Sequence, residues 1–190
     1  MIEETWNKAA EKVVATVQLR HIAGFSAVVL TTKRAHRDIP QTFARLKTWT
    51  EGIDVYPTGN PLGIVYDRQT TSDGAPTRFS LCLPTSKPES ELARTAIAGL
   101  PSEGAAARSP LLAGDVVEVR EFPPILAAVA YYRGPAYDLS EAYDQMAAWI
   151  KERPYIPSGA AREVYLAEPG LLGPDHVELE LHQPVLPSKR

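Results

Sequence analysis

The chain has 190 residues, with 20 Lys and Arg against 23 Asp and Glu and a formal net charge of −3. That length makes one domain, or two small ones sharing a core, and an apolar fraction of 44% with 23% charged residues is ordinary for a soluble globular protein. The slight acidity gives no electrostatic reason to expect nucleic acid or an anionic membrane as partner, and the lone cysteine, Cys82, leaves no disulfide framework and no cysteine metal site.

Residues 1–12 fit a short N-terminal helix with Trp6, Ala9 and Ala10 on one side. No apolar run approaches the roughly 20 residues that span a bilayer. A start containing Glu3 and Glu4 is unlike a signal peptide, so a reducing, cytoplasmic location is expected. Val13 to Arg20 alternates Val13, Ala15, Val17 and Leu19 with Val14, Thr16, Gln18 and Arg20, which is strand periodicity, and Phe25 to Thr32 is a second, β-branched run after a turn at Ala23-Gly24. The small basic cluster Lys33, Arg34, His36 and Arg37 reads as a solvated face. Asp38 then opens a helix, with Pro40 in the first turn, Gln41 three residues after the cap, and Ile39, Phe43, Leu46 and Trp49 at helical spacing; Gly52 ends it. Strands are predicted at Gly63 to Asp67 and, after a turn near Ser72-Asp73-Gly74, at Thr77 to Leu83.

A second set of elements follows in the same order. Strands are predicted over Val116 to Glu121 and Ile125 to Tyr132, a helix over Asp138 to Glu152 with Asp138 and Glu141 as a capping box, and strands over Arg162 to Ala167 and Val177 to His182. The offset of 100 residues between Trp49 and Trp149 also relates Arg20 to Arg120, Asp38 to Asp138, Phe43 to Tyr143, Leu46 to Met146, Pro57 to Pro157, Gly59 to Gly159 and Pro84 to Pro184. One offset recurring from start to end indicates an internal duplication. The expected fold is α+β: two strand-helix-strand-strand repeats, about 13–86 and 115–186, related by a pseudo-twofold. Their sheets should be mainly antiparallel, with a cleft between the repeats. Residues 87–114 are a linker, with a candidate helix at Pro88 to Leu100 and an Ala/Gly/Ser-rich part at Ser102 to Ala113.

Alternation within the last two strands selects candidate site residues. Val177, Leu179 and Leu181 belong under the helix, which leaves Glu178, Glu180 and His182 on the opposite face; Val164 and Leu166 as core residues send Glu163 and Tyr165 to that same face. The first repeat offers Arg78, Ser80 and Cys82 against Glu178, Glu180 and His182, and Ile64 and Tyr66 against Glu163 and Tyr165, so an acidic site on one half of a symmetric frame is expected. A solvated sheet face is the plainer alternative. No phosphate-binding Gly-rich loop, nucleophile elbow or His pair at metal spacing is present, His176 and His182 being weak metal candidates, so neither a metal nor a cofactor is expected.

Arg133-Gly134-Pro135-Ala136-Tyr137, the helix ending in Trp149-Ile150, Pro157-Ser158-Gly159, Arg162-Glu163-Val164-Tyr165 and Glu178-Leu179-Glu180-Leu181 before Pro184-Val185 together resemble the GyrI-like effector-binding domain. The resemblance is strong over Val116 to Val185 and reaches Val13 to Thr85 mostly through the duplication. It implies a small-molecule cleft between two repeats, with an acidic residue on the last strand, matched by Glu180. Glu163 and Tyr165 would lie beside it, Tyr137 and Trp149 are candidate walls, and His182 is a candidate polar neighbour; Trp149 as core packing is an equal alternative. Either Tyr131 or Tyr132 faces the cleft. A carboxylate among aromatic rings suits a hydrophobic or aromatic cation. The resemblance also implies two other functions. One is hydrolysis of reactive, cyclopropanoid-type electrophiles, with Glu180 or Glu163 handling the proton and Tyr165 orienting the substrate. The other is inhibition or protection of a protein partner such as DNA gyrase. No helix-turn-helix pattern fits before Val13, so direct contact with DNA is not expected.

Overall fold

The computed structural model describes residues 12–14, 16–34, 38–66, 77–86, 115–173 and 175–188. The expected N-terminal helix, the turn near Ser72, the basic cluster's side chains and the linker helix fall outside that set. In chain order the elements are β1 (Val13–Val14), β2 (Gln18–Ile22), β3 (Phe25–Arg34), α1 (Ile39–Glu51), β4 (Leu62–Val65) and β5 (Thr77–Thr85). They continue with β6 (Val116–Phe122), β7 (Ile125–Pro135), a 3₁₀ turn (Ala136–Asp138), α2 (Leu139–Lys151), β8 (Tyr155–Pro157), β9 (Ala161–Tyr165) and β10 (His176–Pro187). The ten strands form a sheet of order β1-β7-β10-β9-β4-β5-β3-β6, with β2 also against β7 and β8 against β10, and every described pairing is antiparallel. The fold is α+β, as the sequence predicts.

Each helix forms because its apolar residues recur every three or four positions. Ile39, Phe43, Leu46 and Trp49 are buried on α1, and Leu139, Ala142, Tyr143, Met146 and Ile150 on α2. The expected caps are not made: neither Asp38 nor Asp138 bonds a helix N–H. Their backbones (φ −88°, ψ 1° and φ −93°, ψ 0°) are not the extended conformation that turns a cap side chain back on the first helical turn. Asp138 and Glu141 instead hold the Lys12 ammonium.

Both helices lie on one face of the sheet, α2 over β7 and α1 over β5, so the central pair β9 and β4 runs between them. Val28, Leu30, Leu81, Leu83, Tyr132, Leu179 and Leu181 fill the space beneath. The other face carries its own apolar cluster of Ala27, Val29, Leu62, Ile64, Cys82 and Phe122.

The first strand of each half is exchanged: β2 pairs with β7 and β6 with β3. Ala23-Gly24 and Pro123-Pro124 therefore connect strands at opposite ends of the strand order. Two residues reach only about 7 Å beyond their neighbours, so the sheet has to curl and bring its ends together, with Ile22 facing Ile125 and Phe25 facing Phe122. At this crossing Gly24 is required sterically, since a Cβ there would lie 2.8 Å from the Phe122 carbonyl oxygen. The face without helices is the inside of the curl.

Candidate functional site

The register of β9 decides the site. Leu181 faces Glu163 and Leu179 faces Tyr165, whereas Glu180 faces Val164 and His182 faces Arg162. Cross-strand partners share a face, so Glu163 and Tyr165 lie on the helical face and Glu178, Glu180 and His182 on the inner face. The single acidic cluster expected from alternation is thus two clusters, back to back. Alternation failed in β9 because both faces are covered: Val164 packs on the inner apolar cluster, and a polar side chain is no mark of solvent there.

Glu163 sits on β9, at the middle of the strand order. In the β4–β9 pair Leu62 faces Val164, Gly63 faces Glu163 and Ile64 faces Arg162, a register symmetric about the Gly63–Glu163 pair. Gly63, rather than Ile64, is therefore the counterpart of Glu163, and Tyr66 is not the counterpart of Tyr165; Tyr66 takes hydrogen bonds from Ser80 and Arg120, which lie on the inner face. Glu163 is 2% exposed. The hydroxyl of Tyr143, on α2, donates to Glu163 Oε1 at 2.9 Å, and that of Tyr165 donates to Oε2 at 2.9 Å. Burial, then the charge of Glu163 and its hydrogen bond, push the Tyr165 phenol well above its ordinary pKa, so it stays a donor. A Cβ at position 63 would come 3.3 Å from the Tyr165 hydroxyl and 3.9 Å from Glu163 Cβ, so the glycine leaves room for this cluster.

The inner-face cluster is different in kind. Glu180 pairs with Arg20 at 2.5 Å and with His182 Nε2 at 2.9 Å. Burial works to raise Glu180, but the His182 and Arg20 hydrogen bonds and charges outweigh it and hold the carboxyl below its usual range. Burial pushes the His182 imidazole down against the pull of Glu180. Glu180 is thus the centre of a charge-paired network.

The remaining candidates spread out. Tyr137 is 76% exposed in the 3₁₀ turn and lines neither cluster. Trp149 is half-buried on α2 with the Arg153 guanidinium 3.9 Å over its ring. Tyr132 is fully buried on the helical face and donates to the Pro135 carbonyl at 2.6 Å, while Tyr131 faces inward and donates to Glu178 at 2.9 Å. Two further residues belong to these clusters without a local sequence signal: Tyr143 falls at helical spacing among apolar residues, although a buried tyrosine hydroxyl requires a partner, and Arg162 sits 8% exposed with its Nη1 unbonded. Among the described residues no group of three or more His, Cys, Asp or Glu is arranged to hold a metal ion, and no helix is long and apolar enough to cross a membrane.

A mainly antiparallel, curled sheet with two helices on one face defines an α+β domain. The model of the GyrI-like small molecule binding domain matches residues 15–185, and the chain belongs to that family. Among solved structures, the C-terminal domain of EcmrR superposes with a TM-score of 0.62 at 14% identity, over 90% of this chain and 98% of that one. EcmrR in a DNA complex gives the same TM-score and identity, but this chain spans only 57% of its length. A hydrolase encoded by lin2189 from Listeria innocua gives 0.60 at 12% identity, over 90% and 91% of the two chains. At these identities the likeness is one of fold. A comparison with curated proteins gives no match.

Proposed function

We propose that this protein binds a flat, apolar, cationic small molecule against Glu163, between α1 and α2. The observation that carries the reading is the carboxylate itself: it is 2% exposed, lies in the pair about which the β4–β9 register is symmetric, and is held by two tyrosine hydroxyls. A carboxylate is costly to bury in a largely apolar core, and a cation beside it offsets part of that cost. Tyrosine rings beside it add cation–π attraction of about 0.5 to 2 kcal/mol and exclude water. Because Glu163 is enclosed, a ligand reaches it by displacing neighbouring side chains, so association is slower than diffusion. Glu180, placed on the last strand but on the inner face, takes no part in this site.

The test is calorimetric titration of the whole chain with N-methylquinolinium and with neutral quinoline. Glu163→Gln should weaken the cation by about tenfold or more, which is about 1.4 kcal/mol, and leave quinoline within about threefold. Equal loss of both, or of neither, refutes the site.

One observation favours a second reading. Tyr165 and Glu163 form a hydrogen-bonded acid–base pair with the phenol held protonated, an arrangement able to take a proton from water as it adds to a strained electrophile. Mass spectrometry of a cyclopropane-bearing aryl electrophile under substoichiometric protein separates the two. Hydrated product that disappears in Glu163→Gln supports hydrolysis; recovery of unchanged compound supports binding alone.

A further inference from the structure

The inside of the curled sheet holds a cleft of about 400 Å³, walled by Ile64, Phe122, Ile125 and Val185 and with Arg120 and Arg162 in its lining. Arg162 is 92% buried by its 8% exposure, and its Nη1 has no hydrogen-bond partner. Among the described residues no carboxylate pairs with it. Glu180 and Glu118, on the same face of the sheet, are already engaged, the first by Arg20 and His182 and the second by Arg120. What holds the Arg162 guanidinium in place is a pair of aromatic rings. It lies 5.2 Å from the centre of Phe122 and 5.9 Å from that of Phe25, and those rings stack on each other at 4.8 Å.

A buried cation without a counter-charge is expensive, and a planar guanidinium fixed by ring faces presents its N–H edge in a set direction. The volume lies in the range of small-molecule sites, and the walls are mostly apolar with a few convergent polar groups. We infer that this inner cleft is a second ligand site, one that takes an aromatic or aliphatic carboxylate, with the carboxylate on Arg162, supported by Arg120, and the apolar body against Phe122, Ile125 and Val185. Two parallel N–H···O bonds from a guanidinium match a carboxylate in shape and charge. Burial depresses the basicity of Arg162 at present, and an anion in contact relieves that penalty. The site lies across the sheet from Glu163 and takes the opposite charge, so it stands or falls independently of the cation site.

The experiment is calorimetric titration of the whole chain with 1-naphthoate and with its neutral isostere 1-naphthamide. Naphthoate should bind with 1:1 stoichiometry, and naphthamide about tenfold more weakly or worse. Arg162→Gln should cost naphthoate about tenfold or more, while Glu163→Gln leaves it within about threefold. Ser158, which lines the cleft, provides a variant that leaves both arginines in place: Ser158→Trp fills the cleft and should abolish binding, so the test survives if Arg162→Gln fails to fold. No binding of naphthoate by the unmodified chain, equal binding of naphthamide, or undiminished binding in Ser158→Trp would overturn the inference. Loss in Glu163→Gln equal to that in Arg162→Gln would also overturn it, by placing the ligand on the helical face.

Discussion

Tyr143→Phe tests one hydrogen bond of the proposed cation site. The hydroxyl donates to Glu163 Oε1 at 2.9 Å in a place where both residues are buried. A hydrogen bond to a charged group contributes about 1.5 to 3 kcal/mol, whereas one to a neutral acceptor contributes about 0.5 to 1.5 kcal/mol. Phenylalanine keeps the ring that packs on the core and removes the hydroxyl that donates to Glu163. The variant should lose about 1.5 to 3 kcal/mol, or about 3 to 12 °C in Tm for a chain of this size. In a Glu163→Gln background the same substitution should cost only about 0.5 to 1.5 kcal/mol, leaving a coupling of about 1 kcal/mol between the two positions. Urea denaturation followed by circular dichroism measures all four proteins, with equal m-values required for the comparison. A loss below about 0.5 kcal/mol in the parent, or the same loss in both backgrounds, would refute an ionised, tyrosine-held carboxylate at position 163.

Two further outcomes follow from the inner face. Gly24→Ala sets a methyl group against the Phe122 carbonyl at the crossing of the two connections, and should destabilise by about 1 to 3 kcal/mol; a neutral result in urea would mean that the sheet ends are not clamped there. His182 has its pKa lowered by burial, so the unfolded chain takes up the proton first. Stability should therefore fall as pH drops below the ordinary imidazole value of about 6.5 and go on falling until the folded histidine, beside Glu180, Arg20 and Arg162, is itself protonated. His182→Gln should flatten that limb, while the contribution of Glu180, whose pKa is lowered, persists above the carboxylate range and is lost only as pH falls through its depressed folded value. Identical slopes for parent and variant in urea midpoints between about pH 6.5 and 5 would contradict this assignment.

The periodicities of the chain were enough for both helices and most of the strands, though not for the break between β1 and β2 within the expected strand Val13 to Arg20, nor for β8. Phe43, Leu46 and Trp49, and Tyr143, Met146 and Ile150, can bury together only on helices, and Phe79, Leu81 and Leu83 under a helix only on a strand. The order and spacing of Gly134, Pro157, Glu163, Tyr165 and Glu180 were enough for the family, now matched over residues 15–185. Sequence also placed Leu179 and Leu181 correctly beneath α2, because in β10 the apolar and polar sets separate cleanly. It could not place β9. Arg162, Glu163, Val164 and Tyr165 carry polar residues on both faces, and a one-residue shift in register exchanges the faces without altering composition. Only the pairing of Gly63 with Glu163 and of Leu181 with Glu163 fixes that choice. The same is true of the inner cleft. Arg162, Phe25 and Phe122 are distant in sequence and meet because two short connections force the sheet to curl. Local alternation records which residues share a strand face, but a closed concavity is made by long-range pairing, and the charge buried within it is a property of the tertiary structure alone.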